Sequence, residues 1–323
     1  RAAVVRERRP LRSVWEYALD EPNALTLDFA RVRIGAGAWS ARDLLWRHEG
    51  RVRKALGLPA HGEDVGQPFY WKPRASDAAH DVSVRFEVEM EQVPAGVLRL
   101  AVEGADRFDL RVNGRVIPRR LDGYFVDEDI PRWVLAGARW RRGRNEILLR
   151  ARYRHEDHLE DLHLLGLFGV RVEADRAVVT ALPGRLQTGD WCPQGLPMYT
   201  GTVTYRQTVV RGPRRAGEQV FLCMDRPAAS VVAVRVNGRS AGRIGWAPWE
   251  CRIGHLLRGG RNLLEVDVVS SRRNAFGPLH YFERHPRWSG PGQFRPPEIR
   301  CSIPYQLVPY GLTGAVWVER RGR

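Results

Sequence analysis

The sequence predicts an all-β protein, with two jelly-roll β-sandwiches in tandem behind a short N-terminal α/β connector. Apolar and polar residues alternate over many short stretches, which is the period of a half-buried strand. Two Asn-Gly pairs, Asn113-Gly114 and Asn237-Gly238, each follow such a stretch and are typical of tight hairpins. The same landmarks recur in the same order in both halves, which indicates a duplicated unit of short strands.

Residues 1–80 are predicted to be a connector from a preceding domain. The chain begins with Arg1, so we expect it to be a piece of a longer protein. Residues 24–28 form a strand candidate, and Ser40 with Asp43 could be a capping box. A helix is then predicted from the spacing of Leu44, Leu45, His48, Val52 and Leu56. Residues 60–80, rich in Gly, Pro, His and Asp, are predicted to be a loop.

Residues 81–175 are predicted to form the first sandwich. A strand with a period of two opens it, with apolar side chains at Val82, Val84, Phe86, Val88 and Met90. Gly143-Arg144-Asn145 introduces a later core strand, and a turn is expected at Asn113-Gly114 because Asn and Gly tolerate positive φ.

Residues 176–323 are predicted to form the second sandwich, in which Gly260-Arg261-Asn262 repeats the Gly-Arg-Asn landmark. The segment 246–249 (WAPW) and the loop from Asn274 to His280 have no counterpart in the first half, and a loop rich in proline and aromatic residues is predicted at 276–309. These differences indicate where a function specific to the second sandwich could lie.

The net charge of +15 raises the question of a nucleic-acid partner. Of the 52 basic residues only Lys54 and Lys72 are lysine, which is typical of arginine-biased codon usage. The arginines are scattered along the strands and form no single stripe, which argues against nucleic-acid binding. No apolar run reaches the length of a membrane span, so no membrane partner is expected.

The four cysteines lie in the second half, at Cys192, Cys223, Cys251 and Cys301. No two of them have metal-ligand spacing, which argues against a cysteine-based zinc site. They fit either an exported protein with two disulfides or a cytoplasmic protein with buried thiols, and we favour free thiols.

A resemblance to a known family rests on the order of these landmarks. The segment VNGRSAGRIGWAPWECRIGHLLRGGRNLLEVDV resembles the sugar-binding β-sandwich domains of glycoside hydrolase family 2. It shares the Asn-Gly turn, the following glycine, the aromatic-proline segment and the later Gly-x-Asn step. The wider order PNALTLDFAR, LEDLHLLGLFGV and QGLPMYTGTVTY resembles the C-terminal part of large bacterial α-L-rhamnosidase-like enzymes.

The resemblance implies a galactose-binding-domain-like fold and a carbohydrate-associated role. In such enzymes the catalytic carboxylates lie in a separate (β/α)₈ barrel, which has no counterpart here, so no catalytic residue and no cofactor are expected. The implied partners are the preceding catalytic domain, which this region would support, and a polysaccharide. Two alternatives stay open: a hydrolase with its own carboxylate pair on the sandwich, or a basic protein that binds nucleic acid or an acidic polymer.

Aromatic residues of the second sandwich are the candidate sugar contacts, because rings stack on sugar C–H faces and planar polar groups bind the hydroxyls. The candidates are Trp191, Tyr199, Trp246, Trp249, Asn274 and His280, with Tyr281, Trp288 and Glu250 beside them. The alternative is packing, since tryptophans bury large areas and often serve the core.

A second candidate is the run from His155 to His163, which contains His158 and several carboxylates. These residue types can bind zinc or calcium. Their spacing matches no defined metal motif, so a solvated loop is the expected alternative.

Overall fold

The computed structural model describes residues 4–59, 78–213 and 216–322 and is mostly β-sheet. None of the helices in these ranges is long and apolar enough to cross a membrane. The chain divides into two compact units. The terminal unit contains Arg1–Asn23, Gly169–Arg176 and Leu182–Arg323, and the central unit contains Ala24–Phe168 and Ala177–Ala181.

In the first half of the chain the strands are β1 (Val4–Pro10), β2 (Val14–Leu19), β3 (Asn23–Leu27), β4 (Phe29–Ile34), β5 (Asp43–Leu44), β6 (His80–Met90), β7 (Ala95–Ala101), β8 (Phe108–Val112), β9 (Arg115–Val116), β10 (Leu121–Phe125), β11 (Asp127–Val134), β12 (Gly143–Tyr153) and β13 (Leu162–Leu167). Helix α1 (Leu45–Ala55) lies between β5 and β6.

In the second half the strands are β14 (Gly169–Glu173), β15 (Arg176–Thr180), β16 (Leu186–Gln187), β17 (Thr202–Arg211), β18 (Gln219–Met224), β19 (Val231–Val236), β20 (Arg239–Ile244), β21 (Glu250–Arg252), β22 (Gly260–Val269) and β23 (Val316–Gly322). Two short helices, α2 (Arg273–Phe276) and α3 (Pro291–Phe294), lie between β22 and β23.

Two sheets enclose the core of the terminal unit. One has the order β16-β2-β17-β22-β19-β20 and the other β1-β23-β18-β21. Apolar side chains of both sheets meet in one cluster, among them Val203, Val234 and Val266 from the first and Leu222 and Val316 from the second. The alternation of these residues along each strand therefore places one face of every sheet in the core.

The central unit repeats this arrangement of strands. Its first sheet contains β15-β6-β12-β8-β9, with β4 paired to β6, and its second has the order β10-β11-β7-β13-β3. The order β6-β12-β8-β9 corresponds to β17-β22-β19-β20, and β13-β7-β11 corresponds to β23-β18-β21. The duplicated order expected from the sequence landmarks is thus present in the pairing of the strands.

The predicted hairpins are confirmed at both Asn-Gly pairs. The φ angles are 48° and 79° at Asn113 and Gly114, and 53° and 77° at Asn237 and Gly238. Positive φ at both central residues is what a tight two-residue hairpin requires. These dipeptides therefore determine where β8 turns into β9 and where β19 turns into β20.

The predicted connector contributes strands to both units. Strand β1 pairs with β23 and β2 pairs with β17 in the terminal unit, whereas β3, β4, β5 and α1 belong to the central unit. Most of the predicted loop at 60–80 lies outside the described residues. The predicted domain limits at residues 80 and 175 stay a prediction.

The helix predicted after residue 43 is confirmed, but its predicted capping box is wrong. Helix α1 begins after Leu44, and no side chain caps its N-terminus. Ser40 Oγ instead accepts a hydrogen bond from Val32 N at 2.9 Å, and Asp43 Oδ1 accepts one from Leu44 N at 2.9 Å. Since Asp43 lies in strand β5, paired with β4, the helix can start only after that strand ends.

Candidate functional site

Two of the predicted sugar contacts, Trp191 and Tyr199, lie in the core of the terminal unit. Their ring centroids are 5.9 Å apart, and Tyr310 stacks on Trp191 at 5.7 Å. The Tyr199 hydroxyl donates to Asp20 Oδ1 at 2.8 Å. Both residues are almost fully buried, so their rings contribute to packing between the sheets and the segment around Tyr310.

Asn274 and His280 are also buried, and they hold the long loop before β23. Asn274 Nδ2 donates to Val308 O at 2.8 Å, and Asn274 Oδ1 accepts from Val308 N at 2.9 Å. His280 Nδ1 lies 2.8 Å from Ser302 O. Because each amide atom of Asn274 already has a protein partner, its local role is to fix the loop against α2.

Trp246 and Trp249 lie on the connection between β20 and β21. Trp246 is 80% exposed, whereas Trp249 is partly buried and packs against the core. Glu250, the next residue, is paired with Arg321. The structure therefore brings Trp191, Tyr199 and Asn274 into one buried neighbourhood and leaves Trp246 exposed on a separate turn.

An open cleft of about 470 Å³ lies beside this neighbourhood in the terminal unit. Its polar lining comprises Ser230, Ser271, Arg273, Arg284, His285, Ser289 and Tyr310. None of the six residues predicted as sugar contacts lines it. The available sequence signal was the polar run at 270–273 directly after a core strand, since binding residues concentrate on loops that a rigid sheet positions.

Internal contacts hold several of these cleft residues in place. The hydroxyl groups of Ser271 and Tyr310 are hydrogen-bonded to each other, and Arg273 Nη2 donates to Arg284 O at 3.3 Å. Burial lowers the pKa of the Arg273 guanidinium, which nevertheless stays charged at neutral pH. No Asp or Glu is among the described residues that line the cleft. The cleft therefore offers hydroxyl, guanidinium and phenol groups and lacks a carboxylate pair for hydrolysis.

The histidine run of the central unit is tied to α1. Arg53 Nη1 donates to His155 O at 3.0 Å, and Leu159 N donates to Glu49 Oε2 at 3.1 Å. His163 is buried, which lowers its pKa to about 4. In residues 4–59, 78–213 and 216–322, no group of three or more His, Cys, Asp or Glu residues is placed to hold a metal ion.

All four cysteines are free thiols, with Cys223 and Cys251 buried. Burial raises the pKa of the Cys223 thiol to about 12 and raises that of Cys251 as well, so both stay protonated at neutral pH. Cys251 packs as a small apolar residue in the core between the sheets, whereas the Cys223 sulfur lies 3.9 Å from both Glu250 Oε2 and Arg321 Nη2.

Among known proteins, likenesses occur with solved structures, whereas no protein-family model and no curated protein matches the chain. A rhamnosidase from Novosphingobium sp. PP1Y is 19% identical, with TM-score 0.32, over 75% of this chain and 22% of that chain. A Bifidobacterium dentium beta-glucuronidase complexed with coumarin-3-O-glucuronide is 22% identical, with TM-score 0.29, over 49% of this chain and 29% of that chain. A Streptomyces avermitilis alpha-L-rhamnosidase complexed with L-rhamnose is 11% identical, with TM-score 0.27, over 99% of this chain and 39% of that chain.

These three structures are glycoside hydrolase chains, and this chain spans between 22% and 39% of their lengths. Likenesses this low carry no argument about the fold or the activity of this chain.

Proposed function

We propose that this chain is a non-catalytic, carbohydrate-associated region of a bacterial glycoside hydrolase, built from two jelly-roll sandwiches of the galactose-binding-domain-like type. Its roles are to support the catalytic domain and to bind sugar at the open cleft of the terminal unit. The observation that carries the proposal is the chemistry of that cleft, which has polar groups in a fixed arrangement and no carboxylate among its described lining residues. The order of sequence landmarks supplies the link to glycosidases.

The cleft has the hydrogen-bonding groups that sugar hydroxyls need. Arg273 and Arg284 are planar donors, and the hydroxyls of Ser230, Ser271 and Tyr310 can donate or accept. A mostly pre-formed concave surface loses little entropy on binding because its side chains are already ordered. The bond between the Ser271 and Tyr310 hydroxyls provides this order.

The exposed Trp288 is a second reason to place the sugar here. It is 74% exposed and lies one residue before Ser289 and two after Pro286, which both line the cleft. An exposed indole beside a polar cleft offers a flat apolar face together with an N–H donor. Among the predicted aromatic contacts, Trp288 is thus better placed than the buried Trp191.

Binding of neutral oligosaccharides to the purified chain tests the proposal, measured by isothermal titration calorimetry. Tyr310→Phe removes only a hydroxyl, and Trp288→Ala removes the indole; each should weaken binding by roughly tenfold if the sugar lies in the cleft. Trp246→Ala is the matched control, because its side chain is exposed on a different turn.

Two results would contradict the proposal. If no neutral oligosaccharide binds, sugar binding at the cleft is wrong and only the supporting role is left. If the purified chain hydrolyses glycosides, the non-catalytic assignment is wrong, and the alternative of a carboxylate pair on the sandwich gains support.

A further inference from the structure

A second concave surface of the terminal unit, which we call the arginine groove, has a different chemistry. It has a volume of about 400 Å³ and is bordered by parts of β1, β2, β17, β22 and β23. Seven of its lining residues are arginine and two are glutamate, Glu7 and Glu16. The fold thus brings together seven arginines that lie far apart in the sequence.

Four of these arginines are exposed and have no carboxylate partner among the described residues. The side chains of Arg12, Arg185 and Arg261 make no hydrogen bond or ion pair with the described part of the chain. Arg9 Nη1 reaches only the backbone oxygen of Val210, at 3.4 Å. Elsewhere in this protein many arginines do pair with a carboxylate, as Arg235 does with Asp267 at 2.9 Å.

The other three arginines of the groove are held in place by contacts within the chain. Arg211 is buried and donates to Gly254 O at 3.0 Å and Leu257 O at 2.9 Å. Arg206 binds Glu265 at 3.1 Å, and Arg320 lies 3.6 Å from Glu218. Arg211 also lies 3.6 Å from Glu218, and Arg320 lies 3.5 Å from Glu7. Each of these three arginines therefore has a carboxylate nearby, and the four exposed arginines carry the positive charge of the groove that has none.

The lining of the groove is apolar as well as charged. Leu11, Val209, Val220, Leu257 and Val318 contribute to its lining. Along β17 it extends from Arg206 to Arg211, which is roughly 17 Å at the rise of an antiparallel strand. Apolar side chains over this length, together with the arginines of the groove, fit a chain of several sugar rings that carry acidic groups.

We propose that the arginine groove binds an acidic polysaccharide, with the guanidinium groups of Arg12, Arg185 and Arg261 paired to its carboxylates. Guanidinium–carboxylate pairs can form two parallel hydrogen bonds, so they give orientation as well as attraction. The choice of a saccharide rests on the proposed function, whereas the anionic character of the ligand rests on the groove itself.

The lining favours a polysaccharide over a nucleic acid. Single-stranded nucleic acids are bound largely by stacking of bases on aromatic side chains, and none of the described lining residues is aromatic. A polysaccharide can place its carboxylates beside the arginines and its hydroxyls beside the glutamates.

Biolayer interferometry on immobilised polygalacturonate tests the proposal, with fully methyl-esterified polygalacturonate and duplex and single-stranded DNA as the other surfaces. The unmodified chain should bind polygalacturonate, and the neutral ester should bind at least tenfold more weakly. The triple variant Arg12→Gln, Arg185→Gln, Arg261→Gln should lose tenfold or more of the affinity for polygalacturonate.

The matched control is Arg239→Gln, Arg243→Gln, Arg252→Gln, which removes the same charge from exposed positions of the terminal unit outside the groove. Equal loss in both triple variants would overturn the proposal, because binding would then follow net charge. DNA binding as tight as that of polygalacturonate would also overturn it, as would absence of binding to the acidic polymer. Sugar binding at the open cleft is tested separately, by calorimetry with neutral oligosaccharides and the Tyr310→Phe variant.

Discussion

Asn237 Nδ2 donates a hydrogen bond to Asn262 Oδ1 at 2.8 Å. Asn237 Oδ1 in turn accepts from Leu263 N at 3.0 Å, so the hairpin turn and the start of β22 are locked together. In the central unit Asn113 and Asn145 form the same pair, also at 2.8 Å. The two landmarks that recur in the sequence, Asn-Gly and Gly-Arg-Asn, are thus the two halves of one hydrogen-bonded junction.

Replacement of Asn262 should destabilise the terminal unit. Asn262 is buried; its Oδ1 also accepts from Arg258 N at 2.8 Å, and its Nδ2 donates to Arg258 O and Gly260 O, both at 2.9 Å. Asn262→Ala leaves these backbone groups without partners, and we expect the free energy of unfolding to fall by about 2 kcal/mol. Urea unfolding measures this change. Ser240→Ala, at an exposed position of the same hairpin, should change it by less than about 0.5 kcal/mol.

Gly238 should resist replacement for a different reason. Its φ is +77°, and a Cβ added there would meet nothing within 4 Å, so any cost of Gly238→Ala is backbone strain. We expect a loss of about 1 kcal/mol in the free energy of unfolding. Gly245 also has open space around it, with no positive φ. Gly245→Ala should therefore be neutral or slightly stabilising, and equal losses in the two variants would contradict the explanation.

The buried Arg53–Glu49 pair on helix α1 should contribute strongly to the stability of the central unit. Arg53 Nη1 lies 3.8 Å from Glu49 Oε1, and Tyr153 Oη donates to the same carboxylate at 2.7 Å. Arg53→Met removes a guanidinium from beside the buried Glu49 carboxylate, which also has His158 Nδ1 3.9 Å away, and we expect a loss of about 3–5 kcal/mol. Thermal and urea unfolding measure this loss.

Arg51 on the same helix supplies the control for that pair. It binds Asp43 at 2.6 Å, but its side chain is 59% exposed. Because water screens exposed ion pairs, Arg51→Met should cost less than about 1 kcal/mol. Similar losses of stability from Arg51→Met and Arg53→Met would show that burial of the ion pair does not determine its contribution to stability.

Acidification should destabilise the central unit through His163. Burial lowers the pKa of His163 to about 4 in the folded protein, against about 6.5 in an unfolded chain. Between these two values the unfolded state binds the proton more readily, so the free energy of unfolding falls as the pH drops from 6.5 to 4, by about 3 kcal/mol in total. Urea midpoints across this pH range measure the effect.

His163→Gln should flatten that pH dependence, although part of it should persist because burial also lowers the pKa of His48. His255→Gln, which removes an exposed histidine, is the control variant. An unchanged slope in the His163 variant would rule out its titration as the cause.

The sequence by itself determined the features that depend on neighbours along the chain. The Asn-Gly hairpins followed from the need for positive φ, and the helix after Leu44 followed from a 3.6-residue apolar period. The predicted Ser40–Asp43 cap failed because β5 pairs with β4, a contact between segments that local chemistry does not show. The pairing of β1 with β23 is likewise a contact that local sequence does not show, because β23 lies at the other end of the chain.

Only the tertiary structure decided which side chains meet at a surface. Trp191 and Trp246 are the same residue type, yet the sheets bury the first and leave the second exposed. Arg12, Arg185 and Arg261 are far apart in sequence and converge because β1, β2, β17 and β22 end or cross beside one another. A periodic pattern specifies which face of a strand is apolar. The register and order of the strands specify which side chains of other strands lie beside that face.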